Sequence, residues 1–156
     1  MKFLYCILYL IISGVIIFFV GRIYPRKWIN ENKFPYKSFK FEKEGKFYNK
    51  LRVNKWKTKL PDASVIICKV IPKFMPVKRI KTNKKEEINV LLKETCVAES
   101  THFIAALTGF FCIKIWKSLG GWLISIIYLI WNYLFIIIQR YNRPRLINIK
   151  NKLEAI

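Results

Sequence analysis

Phe3-Leu4-Tyr5-Cys6-Ile7-Leu8-Tyr9-Leu10-Ile11-Ile12-Ser13-Gly14-Val15-Ile16-Ile17-Phe18-Phe19-Val20 decides the fold. These 18 residues carry no charge and are broken only by Ser13-Gly14. At about 1.5 Å per residue a helix of that length covers about 27 Å, close to the ~30 Å hydrocarbon core of a bilayer. A cleaved secretory leader is the competing reading, and it wants a basic start and a small-x-small cleavage site. Here the start has only Lys2, and the exit runs Val20-Gly21-Arg22-Ile23-Tyr24-Pro25-Arg26. The stretch is expected to be retained as an anchor.

The rest of the chain repeats that contrast. It has 156 residues, the length of one domain, and it is 53% hydrophobic with a net charge of +20. The charge is segregated: residues 21–93 hold 21 of the 29 Lys and Arg, whereas residues 3–20 and 118–139 hold none. Apolar blocks alternating with basic blocks describe an integral membrane protein. A second span is expected over 95–117, where Lys114 and Lys117 would snorkel outward, with a re-entrant helix as the alternative. A third is expected over 122–138, with Trp122, Tyr128, Trp131 and Tyr133 and an exit through Gln139-Arg140-Tyr141.

The fold class expected is thus an all-α integral membrane protein, a single membrane domain of about three transmembrane helices. A basic interfacial loop (21–93) and a basic tail (139–156) would complete it. The positive-inside rule places the N-terminus outside and the loop and C-terminus in the cytoplasm of a multi-pass protein. Within the loop, Phe47, Leu51 and Lys55, with Tyr48 and Trp56 beside them, predict a helix lying on the membrane surface. Each basic residue near anionic lipid adds roughly 1 kcal/mol. Asn83, three residues before Glu86, reads as an N-cap of a helix running from Lys84 into the second span. Lipid headgroups are the nearer polyanion for this charge, so no nucleic-acid partner is expected. Cys6, Cys68, Cys96 and Cys112 form no C-x-x-C pair and read as small packing residues.

One polar cluster stands at the edge of an apolar run: Glu94-Thr95-Cys96-Val97-Ala98-Glu99-Ser100-Thr101-His102, followed by Phe103-Ile104-Ala105-Ala106-Leu107. Ionisable groups at such a threshold are costly and point to function. With Glu94 at zero on a helix of about 100° per residue, His102 falls near 80°, Thr95 near 100° and Glu99 near 140°. Glu99 and His102 lie one turn apart and can touch. Glu99 could then orient the imidazole while His102 takes a proton from a hydroxyl. Glu94, about two turns away, suits a basic residue or substrate. The plainer alternative is that these groups only solvate a helix end. His102 is the only histidine, which leaves zinc and di-iron motifs without their second ligand. No metal and no cofactor are expected.

Four stretches in order resemble the glycosyl-4,4'-diaponeurosporenoate acyltransferase family of staphyloxanthin-type carotenoid synthesis. They are Gly21-Arg22-Ile23-Tyr24-Pro25-Arg26-Lys27-Trp28; Phe34-Pro35-Tyr36 through Glu42-Lys43-Glu44-Gly45-Lys46-Phe47-Tyr48 to Trp56-Lys57-Thr58-Lys59-Leu60-Pro61-Asp62; Glu94 to His102; and Gln139-Arg140-Tyr141-Asn142-Arg143-Pro144-Arg145-Leu146. The chain departs at Phe41, where the resemblance would put Trp. The resemblance implies a membrane acyltransferase esterifying a sugar hydroxyl of a glycosylated, carotenoid-like lipid with a fatty acyl chain. Its partners would be that lipid acceptor and an acyl donor, either an acyl thioester or a phospholipid. On that reading His102 and Glu99 are the candidate catalytic pair. Glu94, Thr95, Arg140, Asn142, Arg143, Arg145 and Trp56 are candidate substrate contacts. A non-catalytic scaffold subunit of a lipid-synthesis complex is the rival function.

Overall fold

In the computed structural model the described residues are 1–61 and 85–155. Among them the fold is helical without strands, as the sequence predicts. Among the described residues three helices are long and apolar enough to cross a membrane: Lys2–Ile23, Lys85–Ile115 and Leu119–Glu154. The elements are α1 (Lys2–Ile23), α2 (Lys46–Lys50), α3 (Val53–Trp56), α4 (Lys85–Gly109), α5 (Cys112–Ile115) and α6 (Leu119–Glu154). The described residues fall into two compact units. The first comprises Met1–Lys37 with Lys93–Arg140, and the second Ser38–Leu92 with Tyr141–Ile156.

In the first unit, α1 is apolar on every side, and Leu4, Leu8, Ile11, Ile16 and Val20 are all exposed. A helix with no polar face has lipid as its natural surrounding. It ends at Ile23 because Pro25 follows, and Tyr24 before it turns to extended backbone at ψ 127°. The most apolar stretch of the Lys85–Ile115 span is 39% buried, against 11% for Lys2–Ile23 and 22% for Leu119–Glu154. The helix carrying the polar cluster is therefore the most enclosed of the three. The α4 helix stops at Gly109, and a turn at Phe110-Phe111 precedes α5.

Small residues let these helices approach closely, since lipid supplies no hydrophobic drive between them. A Cβ on Gly21 would lie 2.3 Å from Thr101 Cγ2, so α1 and α4 meet there. Tyr9 donates its hydroxyl to the Thr108 carbonyl at 3.2 Å. Cys6, Cys96 and Cys112 are buried and fill space, and the Cys6 thiol faces the Cys112 carbonyl at 3.8 Å. Cys68 lies outside the described residues. Ile29, Cys96 and Val97 form a small core with Tyr36 packed against it. The start of α6 is the tightest point: a Cβ on Gly121 would sit 2.2 Å from the Trp116 carbonyl oxygen and 2.9 Å from that of Cys112. Backbone cannot retreat as a side chain can. Gly121→Ala should therefore destabilise the folded chain by about 1–3 kcal/mol or more. A thermal unfolding midpoint in detergent that stayed at the wild-type value would refute this.

The second unit corrects the predicted surface helix. Residues 46–56 form two short helices, not one, because Arg52 takes a left-handed conformation at φ 51° between α2 and α3. The reason is a buried carboxylate that periodicity does not see. Glu42 is 2% exposed and accepts from Ser38 Oγ at 3.0 Å, from the Phe39 backbone N–H at 2.8 Å and from the Tyr48 hydroxyl at 2.5 Å. These bonds turn Tyr48 inward while Phe47 and Leu51 stay exposed. Gly45, at φ 93°, brings the backbone beside Pro144, whose Cγ would lie 3.5 Å from an added Cβ. The expected cap at Asn83 and the helix start at Lys84 lie outside the described residues. The α6 helix continues past the expected end at 138, through Pro144, to Glu154, which pairs with Lys85 at 2.8 Å.

Candidate functional site

Glu94, Glu99, Ser100 and His102 of α4 each meet a partner brought from elsewhere in the first unit. Glu94 accepts from Arg26 Nε at 2.8 Å. The same guanidinium donates through Nη1 to the carbonyls of Gly21 at 2.9 Å and Arg22 at 2.8 Å. Arg26 thus closes the carbonyl end of α1, where a cation is favoured, and ties it to α4. Ser100 Oγ lies 2.8 Å from the Tyr36 hydroxyl. Glu99 accepts from Arg140 Nε at 2.8 Å, and Arg140 Nη2 donates to the Pro35 carbonyl at 2.6 Å. Both side chains of that pair are 10% exposed. A charge-assisted bond of this length in so enclosed a place is stronger than its surface counterpart. Thr95 is buried on the same helix.

His102 is half-buried and stacks on Phe135 of α6, with ring centroids 4.7 Å apart and planes 9° from parallel. Its Nδ1 lies 3.0 Å from Asn132 Oδ1. The orientation of that amide is set independently, because Asn132 Nδ2 donates to the Tyr128 carbonyl at 2.9 Å. With the NH2 group committed to a carbonyl, the oxygen faces the ring and can only accept. Nδ1 must then carry the hydrogen, and in the neutral imidazole the lone pair falls on Nε2. One tautomer with one basic nitrogen is what a general base needs. The expected site residues Glu94, Thr95, Glu99, His102 and Arg140 all belong to this unit. Residues that sequence reasoning missed are Arg26, Tyr36 and Asn132. The signal for Asn132 was present, as the only carboxamide in the uncharged run 118–138.

The remaining candidates, Trp56, Asn142, Arg143 and Arg145, belong to the second unit. Trp56 Nε1 donates to the Leu51 carbonyl at 3.1 Å. Asn142 Oδ1 accepts from Lys57 Nζ at 3.1 Å. The Lys57 ammonium lies 4.8 Å and the Arg145 guanidinium 4.3 Å from the centroid of the Tyr141 ring. Burial pushes the Lys57 ammonium below its usual range, and the Arg145 charge pushes it further the same way. Arg143 is buried. Among the described residues no three His, Cys, Asp or Glu side chains gather closely enough to hold a metal ion.

The four quoted stretches are linked by these contacts: the first to the third through Arg26–Glu94, the third to the fourth through Glu99–Arg140. The second is linked to the third through Tyr36–Ser100 and to the fourth through Lys57–Asn142. Comparison with known proteins agrees with that pattern. The family model described as glycosyl-4,4'-diaponeurosporenoate acyltransferase matches residues 25–152. Proteins of that name from Staphylococcus aureus strains bovine RF122 / ET3-1 and MRSA252 are each 35% identical to it over 144 residues. The match takes in 91% of this chain and 84% of theirs. No solved structure matches. A match across most of the chain, taking in Arg26, Tyr36, Glu94 to His102, Asn132 and Arg140, shows that the chain belongs to the glycosyl-4,4'-diaponeurosporenoate acyltransferase family.

Proposed function

We propose that this chain is a membrane acyltransferase that esterifies a sugar hydroxyl of a glycosylated, carotenoid-like lipid, with His102 as general base. The relatives' shared name supports the reaction class and the acceptor. The observation that carries the catalytic assignment is the Asn132 amide, which fixes the His102 ring as the Nδ1–H tautomer. His102 Nε2 removes the proton of the sugar hydroxyl as its oxygen attacks the acyl carbonyl. The tetrahedral intermediate collapses, the bond to the donor breaks, and the imidazolium returns the proton to the leaving thiolate or alkoxide. Glu99, one turn before His102, favours the imidazolium, and Arg140 holds that carboxylate in place. A long apolar acceptor dissolves in the bilayer with its sugar at the headgroups, the level expected for a polar cluster at a helix threshold. The excess of basic residues in the loop and tail supports, by the positive-inside rule, a cytoplasmic loop and C-terminus with the N-terminus outside.

The test is the lipid extract of a deletion strain, by mass, complemented with wild type or with His102→Ala. Loss of the acyl increment in the deletion and in the variant is the expected result. Rescue by the variant would favour the scaffold reading. Asn132 gives a finer test. Asn132→Ala frees the ring to turn and to change tautomer, and a small misplacement of a reacting group costs up to about 100-fold. The rate should fall by about 10- to 100-fold with KM for the acceptor little changed. A loss confined to KM would place Asn132 in substrate binding instead.

A further inference from the structure

The second unit holds a group of polar side chains that the proposed acyl transfer does not use. Tyr141 is 1% exposed, and its hydroxyl has no hydrogen-bond partner among the described residues. A buried hydroxyl left without a partner is expensive, and such groups call for an explanation. Two cations lie over its ring, Lys57 at 4.8 Å and Arg145 at 4.3 Å from the centroid, which caps their separation at about 9 Å. Among the described residues neither pairs with a carboxylate. Asn142 holds the Lys57 ammonium through its Oδ1. Lys57 is half-buried and Arg145 is exposed, so solvent reaches both cations.

Two like charges held this close, one of them partly stripped of water, repel each other. An anion between them removes the repulsion, and the guanidinium fork of Arg145 suits a phosphate in particular. The Tyr141 ring beneath both cations carries a buried hydroxyl whose hydrogen-bonding capacity is unspent among the described residues. We propose that Lys57, Arg145 and Tyr141 form a phosphate subsite that holds the phosphorylated part of the acyl donor. Naming the ligand as the donor rests on the acyltransferase reading above, while the phosphate site rests on this geometry alone. A shallower groove in the same unit, about 420 Å³ and lined by Ser38, Phe39, Lys40, Lys43 and Lys46, is a weaker candidate, since its lysines are exposed.

The shared chemistry is a phosphate ester, carried by a soluble thioester carrier or by a phospholipid. The full chain in dodecyl maltoside, a phosphate-free detergent, would be titrated with two matched pairs. Coenzyme A is set against pantetheine, and micelles doped with phosphatidylglycerol against micelles doped with diacylglycerol. In at least one pair the phosphorylated probe should bind and raise the unfolding midpoint while its phosphate-free counterpart does not. The pair that responds identifies the source. Lys57→Gln and Arg145→Gln should each weaken that binding about tenfold or more, the size of one charge-assisted bond. Tyr141→Phe keeps both cations over the ring and should weaken it a few-fold. Lys46→Gln, in the shallow groove, should leave it unchanged. Arg145 is exposed, so Arg145→Gln decides the matter if Lys57→Gln does not fold. The proposal is overturned if neither phosphorylated probe outbinds its counterpart. It is overturned equally if Arg145→Gln titrates like wild type, or if Lys46→Gln weakens binding as much as Arg145→Gln does. Binding that persists in a His102→Asn protein would stand whether or not His102 proves to be the base.

Discussion

Replacing His102 by Asn is expected to lower acyl transfer by about 10²- to 10⁴-fold, the usual loss of a general base. The variant is chosen for what it keeps. An Asn amide can place an N–H where Nδ1 stood, so the bond to Asn132 Oδ1, 3.0 Å in the wild type, has a replacement donor. It removes Nε2, the nitrogen that Asn132 leaves basic. It also removes the ring stacked 4.7 Å from Phe135, and the accompanying loss of packing has to be separated from the loss of chemistry. The unfolding midpoint in detergent does this: a midpoint near wild type with no acylated product assigns the loss to the base. His102→Gln, which is longer and fits the Asn132 contact less well, should be as inactive. Acylation within tenfold of wild type in either correctly inserted variant would sink the assignment. The alternative in which the polar groups merely solvate a helix end predicts that very result, because solvation needs polarity and not a titratable nitrogen.

The parts of this molecule legible in the sequence are those in which one physical effect dominates. Residues 3–20 and 118–139 carry no Lys or Arg, and hydrophobic length alone places helices there. That Glu94, Glu99 and His102 lie on one helix followed from the sequence. Their partners did not. Arg26 meets Glu94 from 68 residues away and Asn132 meets His102 from 30 residues away, and local periodicity holds no information at that range. The expected pairing of Glu94 with a basic residue could be reasoned from charge, though not which residue it would be. Residues 46–56 failed for a related reason. The apolar spacing there suits a surface helix, but the bonds of Ser38, Phe39 and Tyr48 to Glu42 outweigh it and fold the chain at Arg52. Tertiary hydrogen bonds to a buried carboxylate, each worth about 1.5–3 kcal/mol, exceed the few tenths that separate helical from non-helical residues.

Arg140→Gln is expected to destabilise the chain by about 3–5 kcal/mol, because it leaves the Glu99 carboxylate enclosed without a cation. The figure depends on burial. An exposed pair would be worth about 0–1 kcal/mol. Here both side chains are only 10% exposed, and the guanidinium also holds the Pro35 carbonyl at 2.6 Å. Set against a typical domain stability of about 5–15 kcal/mol, the loss should appear as a lower midpoint and less folded protein. Two further variants separate this role from a topology anchor at a membrane exit. Arg140→Lys keeps the charge but offers a point donor in place of a fork, so it cannot serve Glu99 and Pro35 together with the same geometry. It should be destabilised, though less than Arg140→Gln, whereas a mere anchor would accept lysine without change. Glu99→Gln combined with Arg140→Gln removes both charges. The double variant should be more stable than the sum of the two single losses implies, by the coupling energy of the pair. Additive losses would mean that Glu99 and Arg140 act separately. The same series, completed by the single Glu99→Gln variant, also reports on catalysis: if Glu99 favours the His102 imidazolium, Glu99→Gln loses rate even where the double variant recovers stability. A rate that tracked stability through the series would reduce Glu99 to a structural partner of Arg140.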